Sequence, residues 1–212
     1  MVSSTISDQG HKCVRKVCQT RSFETKEALM AAATHLFAEK GFHKVNTKDI
    51  AKAAGVAVGS FYGYYADKKQ LLLEIIETYK EALLSAGICN NQGARHDYPM
   101  DQVINYFINQ KLQVAERYPL AFHLEINHMK YRDEDVAALL ERFTQREMTD
   151  FVARMAAHKE QLRIQDLELG AALIYQINDN MIMAYLSTDN AADQQALIAE
   201  YKTMITRYLL KD

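Results

Sequence analysis

The chain has 212 residues, 49% of them hydrophobic, and a net charge of −2 at pH 7. Two prolines and eight glycines over that length favour helices over strands, and three cysteines, Cys13, Cys18 and Cys89, are odd in number and lack metal-ligand spacing, as suits reduced thiols in a cytosol. No apolar run reaches the roughly 20 residues of a membrane span and the first 20 residues lack a signal-peptide core, so a cytoplasmic protein without a membrane segment is expected.

Charge is unevenly placed. Residues 1–80 hold 12 Lys+Arg against 8 Asp+Glu, a balance of +4, and the remainder carries −6. Residues 1–20 read as a flexible basic arm, since Gln9 to Phe23 carries Lys12, Arg15, Lys16 and Arg21 with no acid. Such an arm suits a DNA backbone or minor groove, with Arg21, nearest the folded part, as the candidate contact. Cys13 and Cys18 lie in this arm and are read as idle thiols, with a redox pair as the other reading. Thr25 is expected to cap the first firm helix, whose stripe is Leu29, Ala33, Leu36 and Phe37. Gly41 ends it and Phe42 folds back on the last turn.

The stretch from Thr47 to Leu72, TKDIAKAAGVAVGSFYGYYADKKQLL, predicts two short helices joined by a glycine turn. Thr47 is expected as the N-cap of the first, with Ile50, Ala51 and Ala54 on one side. Gly55 supplies the left-handed turn, Val56 plugs the corner, and Phe61 anchors a second helix that begins near Val58. Ala51, Gly55 and Phe61 have the spacing of a helix-turn-helix, with Tyr64 also assigned inward. Val58, Gly59, Ser60 and Tyr62 face outward as a small tip able to enter a major groove, and Lys68 and Lys69 come next at a helix start capped by Asp67, where a phosphate can be held.

These residues, with LFAEKGFHKV ahead of them, resemble the DNA-binding domain of the TetR family of transcriptional regulators over residues 21–72. The resemblance implies that Thr47, Tyr62, Tyr64 and Lys68 contact phosphates while Lys48, Val58, Gly59 and Ser60 lie nearest base edges. Gly63 and Val58 depart from the family pattern, which shifts base readout toward thymine methyls and Lys48.

The helix begun at Asp67 keeps its pattern through Leu84, so it links the headpiece to the C-terminal part of the chain, and a loop is expected over Ala86 to Asp97. Pro99 and Pro119 introduce the next two helices, Asp133 a helix of some 25 residues, Asp166 another to Ser187, and Asn190 with Asp193 the last, to Leu210. The fold class is therefore all-α: a three-helix helix-turn-helix headpiece (21–70), then an antiparallel helical bundle (71–212) for ligand binding and dimerisation.

The bundle mixes large apolar side chains with scattered polar ones, as an adaptable small-molecule pocket does. Phe107, Phe122, His123, Asn127, Phe143, Tyr175 and Gln176 are the candidate lining, although the same residues also suit plain core. His123, Glu125 and His128 are the one metal-like cluster, but no second E-x-x-H step accompanies them, so no metal and no cofactor is expected. No catalytic motif is present. The expected function is sequence-specific DNA binding by a repressor that a small-molecule effector releases from a palindromic operator. The resemblance further implies a homodimer paired through the last two helices. A metal-dependent di-iron-like bundle enzyme and a non-specific architectural DNA binder are the alternatives.

Overall fold

The computed structural model describes residues 9–88 and 100–211, with side chains over 21–85 and 100–211. The elements are α1 (Gln9–Lys40), a 3-10 turn (Phe42–Lys44), α2 (Thr47–Ala53), α3 (Val58–Tyr62), α4 (Lys68–Ile88), α5 (Met100–Ala115), α6 (Leu120–Lys130), α7 (Glu134–Ala157), a second 3-10 turn (Lys159–Gln161), α8 (Leu167–Leu186) and α9 (Ala191–Leu209). The all-helical class is as expected: among the described residues an isolated bridge between Leu162 and Leu210 is the only extended pairing. No helix among them is long and apolar enough to cross a membrane. The chain divides into two compact units, Met1–Leu72 and Leu73–Asp212.

In the first unit α1 packs on α2, and α2 on α3. The apolar stripe of α1 is buried at the predicted positions, Leu29, Ala33, Leu36 and Phe37, as are Phe42, Val45, Ile50, Ala51 and Phe61 of the same unit, and the Phe37 and Phe42 rings lie 5.3 Å apart. Two readings of this region need correction. The helix begins at Gln9 rather than at Thr25, because no breaker follows Gly10 and the Thr25 hydroxyl donates to the Arg21 carbonyl one turn back at 2.8 Å, an interior arrangement and not a cap. Residues 1–8 of the expected arm, and the side chains of Lys12, Cys13, Arg15, Lys16 and Cys18, lie outside the described residues, as do residues 89–99 with Cys89 and most of the expected loop. The cap of α2 is Asn46, not Thr47. Asn46 is extended, with φ −116° and ψ 166°, and its carboxamide oxygen accepts from Lys48 N and Asp49 N, both at 3.0 Å.

In the second unit α7 lies against α6 and α8, while α9 lies against α5 and α8. Its core is built from Ile104, Ile108 and Leu112 of α5, Met155 of α7, Ala171, Ile174, Met181 and Ile182 of α8, and Tyr201, Ile205 and Leu209 of α9. The expected helix starts hold where a side chain accepts first-turn amides: Asp133 from Asp135 N and Val136 N, Asp166 from Leu169 N, and Asn190 from Ala192 N. Asp193 instead lies in the first turn of α9, where a carboxylate favours the positive helix end. The chain end is fastened by backbone bonds from Arg163 N to Leu209 O (2.7 Å) and from Lys211 N to Gln161 O (3.0 Å). Glu77 and Glu81, one turn apart on α4, pair with Arg142 and Arg146, one turn apart on α7, at 2.7 and 2.8 Å.

Candidate nucleic-acid interface

Gly55 redirects the chain between α2 and α3. It sits at φ 69°, where a side chain on an L-residue is strained. Its amide bonds Lys52 O at 3.2 Å and the amide of Val56 reaches back to Ala51 O at 3.0 Å, the pair of bonds that closes a helix with a left-handed residue after its C-cap. With the turn fixed, α3 runs for five residues and buries one of them, Phe61. Tyr65 completes this anchor: it is 1% exposed, with its ring 5.8 Å from that of Phe61. The inward assignment of Tyr64 therefore needs correction. Tyr64 is half-buried and its hydroxyl donates to Ser22 Oγ at 3.2 Å, next to the exposed Arg21.

Val58, Gly59, Ser60 and Tyr62 are all exposed, as their outward assignment required. A Cβ built on Gly59 meets nothing within 4 Å, so the fold leaves open space at that position. Lys48 is exposed on the first turn of α2. The Thr47 and Tyr62 hydroxyls lie 3.0 Å apart, so the first residue of α2 and the last of α3 are tied and two of the anticipated phosphate contacts form one pair. Val58 is 37% exposed and Tyr62 is 56% exposed, which leaves an apolar and a phenolic group on the open face of α3.

Lys68 stands differently from the other cations. Asp67 caps α4 by accepting from Gln70 N at 2.8 Å, as expected, while the Gln70 side chain accepts from Ala66 N at 2.7 Å. The Lys68 ammonium turns inward to the backbone of the α1–α2 connection, donating to Phe42 O and Val45 O at 2.7 Å each and lying 3.4 Å from His43 O. It also stands 4.5 Å from the centroid of the Phe42 ring. Burial holds its pKa below the ordinary lysine value.

The candidate pocket residues of the second unit fall into separate groups. Phe122 and His123 are buried beside Tyr79 and Tyr118, with Tyr79 to Tyr118 ring centroids 4.8 Å apart and Tyr118 stacked on Phe122 at 5.7 Å. His123 Nε2 lies 3.1 Å from Ala115 O, which can only accept, so Nε2 carries a proton and the neutral ring accepts at Nδ1 from the Tyr79 hydroxyl, 3.3 Å away. Burial first, with Lys80 nearby, pushes the His123 pKa below 6.5, against the opposing pull of the Ala115 carbonyl. Tyr175 shares a hydrogen bond with Thr144 at 2.9 Å, and burial, then Asp179, raises its pKa. Arg154 stands over the Phe107 ring at 4.8 Å, Arg142 lies 5.4 Å from that of buried Phe143, and Lys111 pairs with Glu147 between α5 and α7. Asn127 and Gln176 do not join them. Each is exposed, since the helical phase that buries Ile126 and Ile174 turns these positions outward.

His128 Nδ1 is 3.9 Å from Glu125, but both nitrogens of His123 are engaged elsewhere, and among the described residues no group of three His, Cys, Asp or Glu side chains can hold a metal ion. Asn46, Tyr65, Tyr79, Tyr118 and Thr144 were missed as structural partners from sequence. Only Asn46 carried a local signal, being as good a cap as the threonine beside it.

A family model described as bacterial regulatory proteins, tetR family, matches residues 29–75, and one described as the tetracyclin repressor-like C-terminal domain matches residues 110–209. The chain is 32% identical over 93 residues to the uncharacterized HTH-type transcriptional regulator YvdT of Bacillus subtilis (strain 168), a match that spans 43% of this chain and 46% of that protein. It is 26% identical over 147 residues to the HTH-type transcriptional regulator UidR of Escherichia coli (strain K12), spanning 68% of this chain and 70% of that one. The solved structure of Salmonella enterica GusR shares the fold with a TM-score of 0.68 at 24% identity, covering 87% of this chain and 95% of that one. Two family models in the order headpiece then bundle, together with a helix-turn-helix built on Gly55 and Phe61, settle the assignment: the chain belongs to the TetR family of DNA-binding transcriptional regulators.

Proposed function

We propose that this regulator is a homodimeric repressor that reads a palindromic operator through α3 and leaves it when a small molecule occupies the bundle. The observation that carries the reading is the exposed tip of α3, Val58, Gly59, Ser60 and Tyr62, set on a buried Phe61 anchor. A five-residue helix offers few base contacts, so two copies spaced about 34–36 Å apart on successive major grooves supply the affinity. Thr47, Tyr62, Tyr64 and Arg21 are assigned to the phosphate backbone, and Lys48, Val58, Gly59 and Ser60 to base edges.

Dimerisation through α8 and α9 is supported by the apolar side chains they leave exposed: Leu169, Leu173 and Ile177 at four-residue spacing on α8, with Met204 and Tyr208 on α9. Effector binding is assigned to the interior groups around Tyr79, Tyr118, Phe122 and His123 on one side and Thr144, Tyr175, Phe107 and Phe143 on the other. Helix α4 runs unbroken across the division at Leu72 and is the covalent route by which a change in the bundle reaches the headpiece. By linkage the effector weakens DNA binding by the factor with which DNA weakens effector binding, commonly about 1–3 kcal/mol. A cytoplasmic location follows from this role.

Selection of bound duplexes from random DNA, followed by a screen of metabolites for release, tests the proposal. An inverted repeat whose binding is lost with at least one small molecule is expected. Equal affinity for every duplex, unaffected by all of them, would contradict it.

A further inference from the structure

A lysine at the first position of a helix sits at the positive end of the helix dipole, so its cation needs another source of stabilisation. Lys68 is such a residue, and its ammonium is met by Phe42 O and Val45 O at 2.7 Å, His43 O at 3.4 Å and the Phe42 ring at 4.5 Å. An ammonium has three hydrogens and accepts nothing. Its three hydrogens face three carbonyls, two of them at 2.7 Å, so a phosphate would have to displace a hydrogen bond already made.

The carbonyls it grips belong to the turn that ends at Val45, immediately before the reading head. Asn46 is the cap of α2, Thr47 its first residue, and the Thr47 hydroxyl is paired with that of Tyr62 on α3 at 3.0 Å. Three successive contacts thus run from the first turn of α4 through the α1–α2 turn to the recognition helix, all within the unit Met1–Leu72. We propose that Lys68 is a positioning residue for DNA recognition and not a phosphate ligand: its ammonium pins the Phe42–Val45 turn to the start of α4 and so sets where α2 and α3 meet the groove. This rests on the operator reading above, but its decisive measurement does not, because the salt dependence of binding can be read on any duplex.

The two roles differ in counterion release. A phosphate ligand lost from the interface lowers the slope of log affinity against log salt by about 0.9, whereas a lost positioning contact weakens binding at unchanged slope. The whole chain with Lys68→Met, Lys68→Arg or Arg21→Met is titrated against a selected operator and a scrambled duplex of equal length, from low to moderate salt. Lys68→Met is expected to weaken operator binding by about 10-fold or more, with scrambled DNA affected less than about 3-fold, at the wild-type slope on both duplexes. Arg21→Met, a cation assigned to the phosphate backbone, serves as the reference for a changed slope. Lys68→Arg keeps the charge but replaces a compact ammonium with a planar fork that cannot converge on the same carbonyls, so it should restore little of the operator affinity.

A slope reduced by about one ion for Lys68→Met on both duplexes, with Lys68→Arg near wild type, would overturn the proposal. If Lys68→Met does not fold, Lys68→Arg decides alone: operator loss at unchanged slope supports positioning, and near-wild-type binding contradicts it. Failure of wild type to prefer its operator would sink the operator reading, while the slopes on scrambled DNA would still decide the role of Lys68.

Discussion

The hydroxyls of Thr47 and Tyr62, fifteen residues apart, lie 3.0 Å from each other across the junction of α2 and α3. Both are on the surface assigned to phosphates, so each one orients the other before DNA arrives. Thr47→Val and Tyr62→Phe should each lower stability by no more than about 1 kcal/mol, because the bond is exposed. Each should weaken DNA binding more than that, and the double variant should cost less than the sum of the singles. A double-mutant cycle in DNA affinity checks this, with a coupling of at least about 0.5 kcal/mol expected. Strict additivity would mean that the two hydroxyls act apart.

Gly55 and Gly59, four residues apart, should answer substitution in opposite ways. Gly55 has φ 69°, so Gly55→Ala forces a left-handed alanine and should cost about 1–2 kcal/mol in thermal or denaturant unfolding. At Gly59 a Cβ meets nothing within 4 Å, and Gly59→Ala should leave stability unchanged or raise it by up to about 1 kcal/mol through helix propensity. Gly59→Leu should also fold, yet lose operator binding, because a larger side chain would stand between α3 and the groove it is proposed to enter. Operator affinity retained by Gly59→Leu would remove α3 from the groove.

His123 should make the bundle sensitive to acid. Its folded pKa lies below the unfolded value of 6.5, chiefly through burial, so between the two values the unfolded chain holds a proton that the folded chain does not. Stability therefore rises with pH through that window and falls as pH drops below 6.5, at no more than about 1.4 kcal/mol per pH unit from this one group. Protonation also costs the acceptor at Nδ1 that receives the Tyr79 hydroxyl. Denaturant unfolding from pH 5 to 8, comparing wild type with His123→Gln, should show a shallower dependence in the variant. An identical pH profile would place the acid sensitivity elsewhere.

The exposed stripe of Leu169, Leu173 and Ile177 should be covered in solution by a second copy. Leu173→Glu places a charge at its middle and should shift sedimentation toward the monomer with little effect on the fold of one chain. Operator affinity should fall by more than about 10-fold, because a single α3 remains. A Leu173→Glu protein that stays dimeric would move the interface away from α8.

The helices and most caps were legible because their signals are local. The stripe of α1, the glycine turn at Gly55 and the carboxylate or amide caps at Asp67, Asp133, Asp166 and Asn190 depend on neighbours within about four residues. Where two equivalent candidates stood side by side, residue type did not decide. Asn46 caps α2 rather than Thr47, since the chain is extended at Asn46 and helical from Thr47 onward. Tyr65 rather than Tyr64 packs on Phe61, because the bond from Tyr65 N to Phe61 O at 3.0 Å keeps the helical phase for one more turn and sets the residue four positions on over the anchor. Contacts distant in sequence left no trace in it. Lys68 finds carbonyls 23 to 26 residues away, and Tyr79 finds His123 across 44. The pocket residues were the least legible for the same reason: a buried phenylalanine at helical spacing has the same pattern whether it fills a core or lines a cavity.

Quantitative titration of the chain onto a selected inverted repeat and onto one isolated half of it, at fixed salt, bears most directly on a paired α3 reader. Two chains per repeat are expected, with the isolated half bound at least about 100-fold more weakly and Ser60→Ala altering preference among repeats. One chain per duplex, held equally by the repeat, its half and scrambled DNA, would contradict it.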